Sequence, residues 1–157
     1  MPEAPPTERG VMSAEGNVAA ATRVLDDGFN QGRLEVFDEV CSPDVVTHDP
    51  AEQEDVRGIE AQKNRCQMYR TAMPDLEVVV EDAFGSGDRV CTRWTARGTN
   101  DGELMGMPPT GKRVEITGNS IDRFDADGKV VETWDQWDNA GFMTQLGLTP
   151  EAAAQAG

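Results

Sequence analysis

The chain has 157 residues, 38% of them hydrophobic and 27% charged, and its 14 basic and 29 acidic residues give a formal charge of −15. That length suits a single domain able to remove roughly two-thirds of its unfolded surface from water. So acidic a balance excludes nucleic acid and anionic membrane as partners.

No apolar run is long enough to cross a bilayer, and the N-terminus lacks the basic-then-apolar order of a secretory signal. The three cysteines (Cys41, Cys66, Cys91) are odd in number and form no C-x-x-C pair. They read as reduced, buried thiols of a cytoplasmic protein.

Residues 1–12 hold three prolines without apolar periodicity and read as a disordered leader. From Ser13 the spacing is helical, with Val18, Ala21, Leu25 and Phe29 on one face and Gly32 as the stop. A short second helix follows, with Leu34, Phe37 and Val40 inward. Val45 to Asp49 is a brief strand closed by Pro50, and Ala51 to Arg57 is an acidic loop. A third helix from Gly58 to Met73 buries Ile59, Cys66, Tyr69 and Met73, and Pro74 ends it.

Strands then take over. Leu76 to Phe84 and Arg89 to Thr99 flank a turn at Gly85 to Asp88, and Asn100 to Arg113 is a long Gly/Pro loop. Val114 to Phe124 and Lys129 to Trp137 form a hairpin around Asp125-Ala126-Asp127-Gly128. A short helix from Asn139 to Leu146 and a polar tail (149–157) finish the chain. Helices first and an antiparallel meander afterwards predict one α+β domain (13–148) with its helices on one sheet face, and a ligand concavity between the layers.

Along the last strand Val131, Thr133, Asp135 and Trp137 alternate with Glu132, Trp134, Gln136 and Asp138. Each set carries a Trp, so both faces are expected to be covered. The polar set with Glu132, Gln136 and Asp138 is assigned to the pocket.

Several cofactor motifs fail. Gly106 to Lys112 nearly spells a phosphate loop, but Arg113 replaces the magnesium-holding Ser/Thr and a strand follows. The Asp125 turn has Arg123 and Trp134 at the positions where a calcium loop needs carboxylates. One histidine cannot build a His-rich metal site, and no nucleophile elbow or dinucleotide fingerprint occurs. No cofactor and no metal are expected, which leaves acid–base chemistry or simple binding.

The stretches Val46 to Pro50 (VTHDP), Met73 to Asp82, Gly87 to Thr99, Gly102 to Val114, Arg123 to Asp138 and Gln145 to Leu148 resemble the SnoaL-like polyketide cyclase family. That family lies within the NTF2-like, cystatin-like superfamily of ketosteroid isomerase and limonene epoxide hydrolase. The resemblance covers about Asn17 to Leu148. It implies an α+β barrel with three N-terminal helices in the concave face of a strongly bent antiparallel sheet.

It also implies a cofactor-independent enzyme closing rings by intramolecular aldol chemistry on a hydrophobic, polycyclic aromatic substrate, and a homodimer or homotetramer formed through the outer sheet face. Relatives commonly carry a histidine where this chain has Asn100.

Within that frame Asp138 closes the E-x-W-x-x-x-D pattern where such cyclases place the acid/base aspartate. It also stands at a strand-to-helix passage, where Asp is a preferred N-cap. His48 is the candidate donor to an enolate, against a half-buried imidazole bonded to backbone. Trp94 and Trp134 are candidate flat walls, against ordinary core packing. Asn119 and Gln136 are candidate amide donors, Tyr69 offers a hydroxyl, and Phe29 closes the cavity.

Glu132 is placed beside Arg123 as support, and Asp49 is read as a turn residue. Two further readings stay open: epoxide hydrolysis or hydroxylation through an Asp-Arg-Asp set, with Arg93 or Arg123 turned inward, and a non-catalytic small-molecule binder.

Overall fold

A computed structural model describes residues 6–148, with side-chain surroundings from residue 14 onward. Helix α1 spans Pro6–Arg23 and continues as a π-type turn at Val24–Asn30. It starts within the stretch expected to be a disordered leader; residues 1–5 and the polar tail at 149–157 lie outside the described residues. Gly32, at φ +75°, ends this helical run by donating its N–H to the Gly28 carbonyl at 2.8 Å.

Next come α2 (Glu35–Val40), β1 (Cys41–His48), β2 (Val56–Arg57) and α3 (Ile59–Ala72). The strands β3 (Glu77–Ser86), β4 (Arg89–Thr99), β5 (Arg113–Phe124) and β6 (Val130–Trp137) lead to α4 (Asn139–Gln145). Strand β2 falls inside the stretch expected to be loop; it pairs Val46 with Arg57 and Thr47 with Val56. Among the described residues no helix is long and apolar enough to cross a membrane.

The fold is α+β. One six-stranded sheet has the order β2-β1-β6-β5-β4-β3, is curved and remains unclosed. The β3 to β6 meander is antiparallel as expected, whereas β1 joins β6 in parallel, so the sheet is mixed. The hairpin turn is held by Asp125, whose Oδ1 accepts the N–H groups of Asp127 and Lys129 at 2.9 and 3.0 Å, with Gly128 at φ +77°.

Register shifts in β1, between Val80 and Asp82 in β3, and between Arg123 and Phe124 in β5 add to the bend. The last of these pairs Phe124 with Val130 and Arg123 with Glu132, so Val130 and Thr133 both point inward despite their odd spacing.

Two apolar clusters form the core. One joins Ala21, Phe37, Cys41, Val45, Cys66 and Val130; the other joins Met73, Leu76, Val78, Ala96, Ile116 and Phe142. A cavity is lined by members of both, so the space lies where the two clusters fail to meet.

Candidate active site

The cavity measures about 120 Å³, and its walls are mainly apolar, from Val24, Leu25 and Phe29 on the helical side to Ala96 and Ile116 on the sheet. The concave sheet face contributes three rows, each set by strand register. Trp94, Gly118 and Trp137 form the first, Thr92, Ser120 and Asp135 the second, and Val90, Asp122, Thr133 and Thr47 the third. Gly118 is required by the first row: a Cβ there would lie 2.6 Å from the Trp94 ring and 2.7 Å from the Trp137 Cβ.

A charged network occupies the second row. Arg65, brought from α3, donates through Nη1 to Asp49 Oδ2 at 2.8 Å and to Asp135 Oδ2 at 2.9 Å. The three side chains are only 10%, 2% and 11% exposed, so this is an interior ion triad. Burial alone would weaken the Arg65 charge, but the Asp135 carboxylate and then Asp49 more than offset it and hold the guanidinium protonated.

Asp135 Oδ1 accepts the Ser120 hydroxyl at 2.6 Å, and Ser120 in turn accepts the Trp94 indole N–H at 3.2 Å. Asp49 Oδ1 accepts the Trp137 indole N–H and the Ala51 backbone N–H, both at 2.9 Å. Phe29 covers the guanidinium, its ring centre 5.7 Å from Arg65 Cζ.

Three buried polar atoms have no partner among the described residues: Arg65 Nε, the Tyr69 hydroxyl and Thr92 Oγ1. All three belong to residues that line the cavity. Buried donors are rarely left unpaired, and their gathering in one hollow marks a place where a ligand's oxygens can bind. Burial, followed by the Asp49 charge, pushes the Tyr69 phenol up and keeps it a neutral O–H donor.

The third row holds a different carboxyl. Asp122 Oδ1 accepts the Thr133 hydroxyl at 2.5 Å, and burial lifts this acid to about 7. Thr47 is satisfied by Gln62, which also bonds the Val56 carbonyl.

The family model for SnoaL-like polyketide cyclases matches residues 19–146. The chain belongs to the SnoaL-like polyketide cyclase family. Solved structures agree. A protein from Jannaschia sp. CCS1, named as a SnoaL-like polyketide cyclase, is 27% identical with a TM-score of 0.79, over 96% of this chain and 100% of that one.

IdmH from Streptomyces antibioticus, named as a polyketide cyclase, is 35% identical with a TM-score of 0.71, over 83% and 98%. AclR from Streptomyces galilaeus, named as a hydroxylase, is 31% identical with a TM-score of 0.75, over 87% and 99%. No curated protein matches the chain.

Within this family frame, Trp94, Tyr69 and Phe29 stand on the cavity wall. The remaining candidates stand elsewhere. Asp138 is exposed and caps α4, its Oδ1 accepting the Gly141 N–H at 2.8 Å, so the capping role is the one it fills. Glu132, Trp134 and Gln136 point to the convex face, and Asn119, the register partner of Gln136, is exposed beside them.

His48 is on that convex face too: it contacts Glu132 at 2.7 Å and Asp55 at 2.9 Å and stacks on Trp134 with ring centres 5.8 Å apart. The Glu132 and then the Asp55 hydrogen bond raise its imidazole above the usual range. Glu132 does pair with Arg123, at 3.1 Å. Trp137, in the set not assigned to the pocket, is instead a cavity wall. Cys41 and Cys66 are buried, and Cys91 is half-buried.

The two alternating sets of β6 are those read from the sequence, but the set facing the cavity is Thr133, Asp135 and Trp137. Alternation fixes which residues share a face, not which face is inside. The charge partner that makes Asp135 tolerable inside comes from another element. Arg65 and Gln62 carry a signal that was available: each lies on the stripe of Cys66, Tyr69 and Met73 at helical spacing. An Asp-Arg-Asp set exists, but it is built on Arg65; Arg93 pairs instead with exposed Asp82, and Arg123 with Glu132.

Proposed function

We propose that the chain is a cofactor-independent cyclase that closes a ring on a hydrophobic polyketide-type substrate by intramolecular aldol chemistry, with Asp135 taking a carbon-bound proton. The observation that carries this reading is the buried Asp135 carboxylate, fixed by Arg65 and Ser120 in an apolar hollow beside the unpartnered Arg65 Nε–H and Tyr69 O–H.

A carboxylate oxygen offers two lone pairs, so each Asp135 oxygen keeps one beyond the bond it already makes. Once the proton α to a ketone has moved to Asp135, the unpartnered Arg65 Nε–H and Tyr69 O–H are free to donate to the enolate oxygen. The apolar walls exclude water that would compete for it.

The test uses a neutral bicyclic ketone, β-tetralone, in deuterium oxide, with exchange of its α-protons followed by NMR. The protein is expected to accelerate exchange, and Asp135→Asn to lower that acceleration by about 100-fold with the fold intact by circular dichroism. Undiminished exchange in Asp135→Asn overturns the assignment.

A second reading draws on the Asp49–Arg65–Asp135 set, which resembles the Asp-Arg-Asp arrangement expected of an epoxide hydrolase, and on the likeness to AclR. Hydrolysis of cyclohexene oxide in ¹⁸O-labelled water, lost in Arg65→Met, supports that reading over ring closure.

We also propose that two copies pair through the convex face. One row there runs across five strands, Phe84, Cys91, Ile121, Trp134 and His48, with Phe84 63% and Ile121 40% exposed. Its flanking rows carry Arg89, Arg123 and Glu132 on one side and Asp82 with Arg93 on the other, so this apolar row is the part that a two-fold partner would cover.

A further inference from the structure

We propose that Asp122 is a second catalytic carboxyl of the cavity, the acid that protonates the alkoxide oxygen formed when the new carbon–carbon bond closes. This rests on the reading that Asp135 is the base.

Both oxygens of Asp49 and both of Asp135 are engaged by Arg65, Ser120, Trp137 or a backbone N–H. Asp122 differs. Only its Oδ1 is bonded, to Thr133, and Oδ2 has no partner among the described residues while the side chain lines the cavity. No Lys or Arg forms an ion pair with it among those residues, in contrast to the other two aspartates.

Asp122 faces Thr133 across the β5–β6 register, which makes Asp135 its diagonal neighbour on the same face, about 7 Å away between Cβ atoms. Two carboxyls at that spacing can address two atoms of one substrate from the same wall.

The surroundings divide their roles. Asp135 carries the Arg65 cation at 2.9 Å. Around Asp122 stand Thr133 and Asp135 from β6, Arg65 from α3, Cys41 at the start of β1 and Cys91 on β4. Burial raises the acid to about 7; the Thr133 hydrogen bond opposes this, Asp135 adds to it, and Arg65 opposes it again. At neutral pH a large share of Asp122 is the neutral acid, as a proton donor must be. Environments that separate two carboxyls in this way assign the acid and the base.

The step balances. The α C–H bond breaks and its proton goes to Asp135; the enolate carbon bonds to the second carbonyl carbon. That carbonyl's π pair moves to oxygen, and the Asp122 proton forms the new O–H bond. Asp122 ends as the carboxylate and Asp135 as the acid, and solvent returns one proton and takes the other.

Two measurements test this. The first is ¹³C NMR of the whole chain labelled at aspartate carboxyls, titrated without ligand. One resonance is expected to titrate near pH 7 and to be missing in Asp122→Asn; its absence from the wild-type titration overturns the proposal.

The second is ring closure of the neutral triketone 2-methyl-2-(3-oxobutyl)cyclohexane-1,3-dione to its bicyclic ketol. The wild-type rate is expected to fall as pH rises above about 7, and Asp122→Asn to close the ring about 100-fold more slowly with that limb gone.

Wild-type closure rate and pH limb in Asp122→Asn overturn Asp122 and leave Asp135 standing. Wild-type protein that exchanges no tetralone proton removes Asp135 as base, and the NMR titration then decides Asp122 by itself.

Discussion

The two faces of one sheet, built from alternate residues of the same strands, treat their charges in opposite ways. On the concave face, Asp49, Asp135 and Arg65 are nearly closed off from solvent and joined by bonds of 2.8 and 2.9 Å. On the convex face, His48, Glu132 and Arg123 form a chain of similar distances, yet their side chains keep 34%, 26% and 37% exposure. Distance is therefore a poor guide to what such a pair contributes. The inner triad is expensive to break because a lone interior charge has no water to turn to; the outer chain is screened.

The contrast breaks most visibly at Arg65. Arg65→Met leaves two carboxylates buried without a cation and is expected to lower stability by about 3–5 kcal/mol in urea unfolding. Adding Asp49→Asn and Asp135→Asn to that variant is expected to restore much of the loss. A drop below about 1 kcal/mol in the single variant means that the triad is not interior.

A smaller effect, of opposite sign, is expected at Asp122. Its folded value of about 7 lies above that of an unfolded aspartate, so the folded state binds the extra proton between roughly pH 4 and 7. Stability from this group is thus present below about pH 4, falls as pH rises, and levels above about 7. Asp122→Asn is expected to be more stable than the wild type at pH 8 by about 2–3 kcal/mol and equal to it near pH 4. Matching urea curves at both pH values contradict a half-buried acid with no ion partner.

The convex face closes the series. His48→Ala is expected to change monomer stability by less than about 1 kcal/mol and to leave tetralone exchange alone. Because its partners raise the imidazole, the small contribution of His48 is complete below about pH 6 and lost as pH rises through the raised value. Ile121→Asp, a charge in the apolar row, is expected to shift sedimentation from dimer to monomer with exchange intact. A dimer in that variant rules out the convex pairing.

Local readings carried far. The Asp125 turn, the two long hairpin strands and the third helix were legible because turn chemistry, alternation and helical spacing act over a few residues. Part of the site was legible for the same reason: Phe29, Tyr69 and Trp94 are large side chains on stripes that had to face inward. Asp138 illustrates the limit. It has the composition of an acid/base residue and the position of a helix cap, and nothing nearby in sequence separates the two roles.

Apart from the short β2, the order of elements, the α+β class and the alternating sets along β6 were properties of the sequence itself, since each depends on neighbours within one segment. Which face of β6 meets the cavity was decided only in three dimensions. There α3 delivers Arg65 to Asp49 and Asp135, while β1, aligned in parallel, delivers His48 to Glu132 on the opposite side. A carboxylate can lie inside only where a cation or donor from another part of the chain meets it, and that meeting is long-range by nature.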